Sequence, residues 1–119
     1  INDRFGHRAG DQALIGLARA TCAALRAEDV FCRYGGEEFA IILRTTDIEN
    51  AALVAERIRV VAAEVRVDSG TQTFGLTISL GCASVRSCEN ATAEELIAVA
   101  DRRLYAAKHA GRNRVMSSG

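Results

Sequence analysis

Four consecutive residues, Gly35-Gly36-Glu37-Glu38, set two carboxylates directly behind a pair of glycines. Glycines leave the space beside a chain reversal open to an approaching ligand. Two carboxylates ~4 Å apart repel by about 4 kcal/mol at an effective dielectric of ~20. A divalent cation shared between a carboxylate and phosphate oxygens removes that repulsion, and magnesium sites are commonly assembled in this way. The same four residues also fit a solvated hairpin tip in which Glu37 and Glu38 point apart.

Other residues carry two readings each. Taken alone, Asn2 is an Asx-turn residue and Asp11 a helix N-cap. Lys108 and Arg112 stand where cations complement a helix C-terminus. Arg26-Ala27-Glu28-Asp29 reads as a solvated helix end with a local ion pair. His7 is a base by residue type alone, and a loop-ordering role suits it better.

Composition narrows the classes. Fifteen basic and fifteen acidic residues cancel, which argues against a nucleic-acid module with its clustered basic excess. A hydrophobic share of 49% in 119 residues is enough for the core of one domain, residues 1–119. No apolar run approaches the roughly 18 residues needed to cross a bilayer, so a soluble, cytoplasmic domain is expected, although a parent protein is free to be membrane-tethered. Cys22, Cys32, Cys82 and Cys88 show no CxxC spacing and have only His7 and His109 to complete a zinc set. They are expected to be reduced thiols acting as small apolar residues.

The elements that must position these groups follow from periodicity. After a loop over Asn2 to Gly10, the residues Leu14, Leu17, Ala18, Thr21 and Leu25 recur at helical spacing through about Ala27. Val30 to Tyr34 and Phe39 to Leu43 read as strands joined by the glycine pair, which is expected to supply the positive φ of a tight hairpin. Asp47 is placed to cap a helix that buries Ala51, Val54, Ala55, Ile58, Val61 and Ala62. Ser69 to Gln72 suggests another turn, followed by one strand from Phe74 to Ser84. Thr92 with Glu95 predicts a capping box for a last helix, with Leu96, Ile97, Val99, Ala100, Leu104 and Ala107 inward and Gly111 as its stop. A short closing strand over Arg114 to Met116 is possible. The order predicts an α+β fold, helices packed on a mainly antiparallel sheet.

Four blocks carry a family resemblance. Ile1-Asn2-Asp3, Phe5-Gly6-His7, Gly10-Asp11 and Leu14 resemble an INDxFGHxxGDxxL stretch. Arg33 to Phe39 resembles an RYGG[DE]EF hairpin, and Thr77 to Gly81 a TxSxG strand. Ala100-Asp101, Leu104-Tyr105, Lys108 and Gly111-Arg112-Asn113 resemble an ADxxLYxAKxxGRN ending. Together they resemble the GGDEF family of diguanylate cyclases, with its ferredoxin-like, nucleotidyl-cyclase-like fold.

The resemblance implies condensation of two GTP molecules into cyclic di-GMP with release of pyrophosphate. Two domains would face each other as a homodimer, each 3′-hydroxyl attacking the partner's α-phosphate with Mg2+ or Mn2+ assisting. It implies guanine recognition by Asn2 and Asp11, metal ligation by Glu37, and 3′-hydroxyl activation by Glu38. Asp11 speaks against relatives that carry Ser there and also accept ATP. Gly35 and Gly36 would admit the α-phosphate, and Lys108 and Arg112 would hold the terminal phosphates as a point charge and a planar fork. Asp101, Tyr105 and His7 would be structural. Arg26 and Asp29, in the register of the family's RxxD motif and with Arg57 assisting, imply an inhibitory site for the product.

The opening Ile1-Asn2-Asp3 lacks an initiator Met, and the family's first strand, with a second metal carboxylate, would precede it. That strand is expected to be missing from this sequence, and the piece alone is expected to be poorly active. An upstream sensory or receiver domain is expected in the parent. A non-catalytic domain that binds GTP or cyclic di-GMP to regulate a partner stays open beside the enzyme. An unrelated ferredoxin-like binding module would require four accidental matches.

Overall fold

In a computed structural model of the chain, residues 6–35, 38–68 and 73–119 are described. Backbone contacts divide it into two compact units, Ile1–Thr45 with Val60–Leu76, and Thr46–Arg59 with Thr77–Gly119. The division runs through one helix.

The first unit begins with α1, Gly6–Ala24. Residues 6–10, expected as loop, are already helical. Asp11 therefore sits within the helix and caps nothing, because its preceding backbone has already entered the i→i−4 ladder. Ala13, Leu17 and Thr21 are buried at steps of four residues, the stripe expected of a one-faced helix. Strands β1, Val30–Gly35, and β2, Glu38–Ile42, pair antiparallel with Val30 opposite Ile42 and Arg33 opposite Phe39. The register then slips so that Gly35 faces Glu38, leaving Tyr34 as the extra residue of a bulge. Phe31 and Phe39 stack at 5.1 Å between ring centroids. A second antiparallel pair, β3 at Arg66–Asp68 and β4 at Thr73–Gly75, flanks the turn expected over residues 69–72, which lies outside the described residues.

Helix α2, Ile48–Ala63, starts as predicted. Asp47 Oδ1 accepts the Asn50 N–H at 2.9 Å, and its carbonyl accepts the Ala51 N–H at 2.9 Å. Ala55, Ile58 and Ala62 are buried, while Ala51, Val54 and Val61 are half-buried.

In the second unit, β5 at Leu80–Gly81 runs parallel to β6 at Val115–Met116, the closing strand. The single strand expected from Phe74 to Ser84 is thus two short pieces. Residues 76–79 carry no strand pairing, since a strand exists only where a neighbour accepts its ladder bonds. Helix α3, Ala93–His109, packs on β5, β6 and a one-turn 3₁₀ segment, Val85–Ser87. Thr92 Oγ1 accepts the Glu95 N–H at 3.1 Å. The Glu95 carboxylate reaches past Thr92 to the Asn90 N–H at 2.9 Å, so only half of the predicted capping box forms.

The inward face of α3 is Val99, Arg103 and Ala107, and Ile97 is 42% exposed against expectation. Arg103 was not foreseen there. Its Nη1 donates to the Cys82 carbonyl at 2.7 Å and the Ser87 hydroxyl at 3.3 Å, which satisfies the head while the stem covers apolar surface. Two antiparallel pairs, one parallel pair and three helices make an α+β fold among the described residues.

Gly81 explains why β5 can lie against α3. A Cβ at this position would stand 2.2 Å from the Ala100 carbonyl oxygen and 2.3 Å from the Leu104 nitrogen. Strand backbone touches helix backbone there, and only glycine fits.

Candidate functional site

The candidate residues fall in both units, and each unit has its own local geometry. In the first, β1 and β2 bring Gly35 directly opposite Glu38. Gly36 and Glu37 connect them and lie outside the described residues, as does Asn2. Gly35 does not take the positive φ expected of it. The register slips at Tyr34 just ahead of it, and the reversal itself lies outside the described residues. No described atom lies within 4 Å of where its Cβ would be, so among the described residues no packing contact demands glycine at position 35. Glu38 is exposed beside this open space, and Asp11 is exposed on α1.

At the end of this unit's helix, Arg26 and Asp29 are brought together. Asp29 Oδ2 accepts the Arg26 backbone N–H at 2.8 Å, and Oδ1 lies 3.4 Å from Arg26 Nη2. The Asp29 carboxylate side chain is only 2% exposed, whereas that of Arg26 is 54% exposed and also reaches the Arg44 carbonyl at 3.0 Å. The Arg26 N–H, followed by the guanidinium, holds the Asp29 carboxyl below the ordinary aspartate value. As they stand, the two residues are each other's partners, and gripping a ligand requires Arg26 to exchange contacts. Arg57, on the other unit's part of α2, is exposed.

In the second unit, Lys108 lies in the last turn of α3 and Arg112 just beyond it, both exposed. Gly111, at φ +125°, ends the helix as expected. The Arg112 N–H bonds the Ala107 carbonyl at 3.0 Å and the Gly111 N–H the Lys108 carbonyl at 3.4 Å, the paired bonds of a Schellman motif. Asn113 is tied on two sides, a connection absent from the sequence reading. Its N–H donates to Ser79 Oγ at 3.1 Å and its Oδ1 accepts Arg59 Nη1 at 2.9 Å. Arg59 in turn places Nε 2.8 Å from Glu56 Oε1, and this contact lowers the Glu56 pKa. An i, i+3 charge pair within α2 was the only available signal.

Of the residues expected to be structural, Asp101 is exposed. Tyr105 is 64% exposed with its ring 4.0 Å from that of His109. The described cysteines form no disulfide. Cys22 and Cys32 are exposed rather than packed as small apolar residues, because each sits on the outward side of its element. Burial pushes the Cys82 thiol up, with the Arg103 charge opposing.

The donor chemistry suits a hard cation only in part. No group of three or more His, Cys, Asp or Glu side chains gathers among the described residues. Glu38 offers the carboxylate oxygens that magnesium prefers, and the open ground at Gly35 suits a cation that arrives with phosphates and takes one or two protein carboxylates.

Comparison with known proteins gives these features a frame. Residues 1–114 match the family described as diguanylate cyclase, GGDEF domain. The response regulator PleD of Caulobacter vibrioides is 42% identical over 118 residues, covering 98% of this chain and 26% of PleD. Diguanylate cyclase SiaD of Pseudomonas aeruginosa, solved with its activator SiaC, superposes with a TM-score of 0.87 at 36% identity, covering 98% of this chain and 44% of that one. The GGDEF domain of DgcB from Caulobacter crescentus, solved with c-di-GMP, gives 0.84 at 30% identity, with 97% and 68% covered. The chain spans about a quarter of the length of the curated relatives it matches. Matched along nearly its whole length and folded as those domains are, the chain belongs to the GGDEF domain family of diguanylate cyclases.

Proposed function

We propose that this domain, within its longer protein, condenses two GTP molecules into cyclic di-GMP and releases two pyrophosphates. Family membership supports the reaction class. The observation that carries the site assignment is Gly35, with no described atom within 4 Å of a Cβ there, facing the exposed Glu38 across the hairpin. The open ground beside Gly35 leaves room for a ligand to approach the backbone closely.

In this reading Asn2 and Asp11 hold the guanine, the carboxylate accepting from N1–H and N2–H. Gly35 and Gly36 admit the α-phosphate region, and Lys108 and Arg112 hold the terminal phosphates. Glu37 is the metal ligand, with Glu38 beside it. Mg2+ or Mn2+, when bound there, supplies charge neutralisation for the transferring phosphoryl group. Glu38 orients the 3′-hydroxyl and accepts its proton as the hydroxyl attacks the partner's α-phosphate. Since each GTP needs a second one opposite it, catalysis requires a homodimer.

Arg26, Asp29 and Arg57 form the product site in this reading, supported by the half-exposed Arg26 guanidinium and by the c-di-GMP in the DgcB structure. The name of PleD, response regulator, supports a receiver or sensory domain upstream. No helix among the described residues is long and apolar enough to cross a membrane, and we place the domain in the cytoplasm, where GTP is supplied.

The test is incubation of the full-length protein with GTP and magnesium. Cyclic di-GMP should form, and Glu38→Gln should lower the rate by at least about a hundredfold, since the amide cannot take the proton. No product from the parent protein, or an unaffected Glu38→Gln, overturns the assignment.

A further inference from the structure

The turn after α3 is more constrained than a helix stop needs. One glycine with positive φ suffices to reverse the chain, and Gly111 provides it. The next two residues nevertheless also take the left-handed region, Arg112 at φ +63° and Asn113 at φ +47°. Asparagine tolerates this conformation, but a long side chain with a Cβ does so only where its surroundings impose it.

Those surroundings are a chain of bonds within one unit. Ser79 Oγ accepts the Asn113 N–H at 3.1 Å, and Arg59 Nη1 donates to Asn113 Oδ1 at 2.9 Å. Arg59 is committed by its other donors too, with Nε and Nη2 both on the Glu56 carboxylate. Its side chain is 21% exposed, and the facing carboxylate neutralises its charge. Arg59 is therefore a connector rather than a ligand for phosphate. The Arg112 backbone is fixed at both ends, its N–H on the Ala107 carbonyl at 3.0 Å and its carbonyl on Arg114 Nε at 3.0 Å. Its guanidinium is exposed and has no partner among the described residues. These bonds fix the Asn113 side chain and the backbone on both sides of Arg112, and leave its phosphate-type fork unheld among the described residues.

We propose that Arg59, held by Glu56, and Asn113 are positioning residues that act through Arg112 and set the backbone from which its guanidinium meets the outer phosphates of GTP. The proposal rests on the reading of Arg112 as a phosphate ligand and adds the residues that pre-organise it.

A double-mutant cycle in the full-length protein tests it, with affinity measured for a non-hydrolysable GTP analogue and for GMP, which lacks the outer phosphates. Arg112→Ala should weaken the analogue by about tenfold and leave GMP unchanged. Arg59→Met and Asn113→Ala should each weaken the analogue about fivefold with GMP again unchanged, and Arg59→Met should add nothing in the Arg112→Ala background. Asn113→Asp, which keeps the acceptor and tolerates the backbone, should restore affinity close to the parent's. Equal weakening of analogue and GMP, or effects that multiply in the double variant, would mark a general structural staple and overturn the inference. So would an Arg112→Ala loss accompanied by silent Arg59 and Asn113 variants. An unchanged affinity in Arg112→Ala would instead remove the phosphate reading underneath. Should Arg59→Met fail to fold, Asn113→Ala in both backgrounds completes the same cycle.

Discussion

Two glycines from two of the family blocks sit in opposite circumstances. Gly81 in β5 is pressed against α3, where a Cβ would meet helix backbone at 2.2 Å. Gly35 in β1 faces open space, with no described atom within 4 Å of a Cβ there and no left-handed backbone to excuse it. The first glycine is explained by how the chain packs. The second has no packing reason among the described residues, and we propose that the space beside it serves a ligand. The same division appears within one turn, where Asp29 faces inward to hold the Arg26 N–H and Arg26 faces outward.

Substitution should separate the two kinds of residue. The largest effect is expected at Gly81→Ala. Helix backbone cannot move aside as a flexible side chain does, so the domain should lose about 3 kcal/mol or more, seen as a large drop in melting temperature. Gly35→Ala should do the reverse: stability within about 0.5 kcal/mol of the parent, and cyclic di-GMP synthesis reduced by about a hundredfold. An active Gly35→Ala protein would break the comparison, because open space would then be merely open.

A smaller contrast is expected between Arg26 and Asp29. Arg26→Ala should weaken product binding by about tenfold in calorimetric titration with little change in melting, whereas Asp29→Asn should lower the melting temperature. Because the Asp29 carboxyl is held below the ordinary aspartate value, its contribution is present above that value and is lost as pH falls through the folded-state pKa. Melting followed from pH 7 down to about pH 3 should therefore show a steeper acid limb for the parent than for Asp29→Asn. Coincident acid limbs would show that the inward bond contributes nothing.

Much of this was legible in the residue order. Asp47 and Thr92 cap the helices they were expected to cap, and the spacing of Ala55, Ile58 and Ala62 marked a buried stripe. The strands on either side of the glycine pair, and Gly111 as a helix stop, followed from the same local rules. The break in the Phe74 to Ser84 strand did not, because whether alternating apolar residues form a ladder depends on a neighbour distant in sequence. The Glu95 carboxylate could choose between two backbone donors, and only the loop ahead of the helix settled on Asn90. Arg103 was invisible as an inward residue, since its cost of burial is met by the Cys82 carbonyl from another element.

The sequence by itself determined the family, the helix boundaries that side-chain caps impose, and the residue types proposed for phosphate, guanine and metal. These depend on local chemistry and on motif order, both written along the chain. Tertiary structure decided which glycine is sterically required and which meets no described atom, that Asp29 turns in while Arg26 turns out, and that Arg59 reaches Asn113 across 54 residues. Those outcomes depend on distances between segments far apart in sequence, and a hydrogen bond or a van der Waals clash is set by tenths of an ångström that no spacing along the chain encodes.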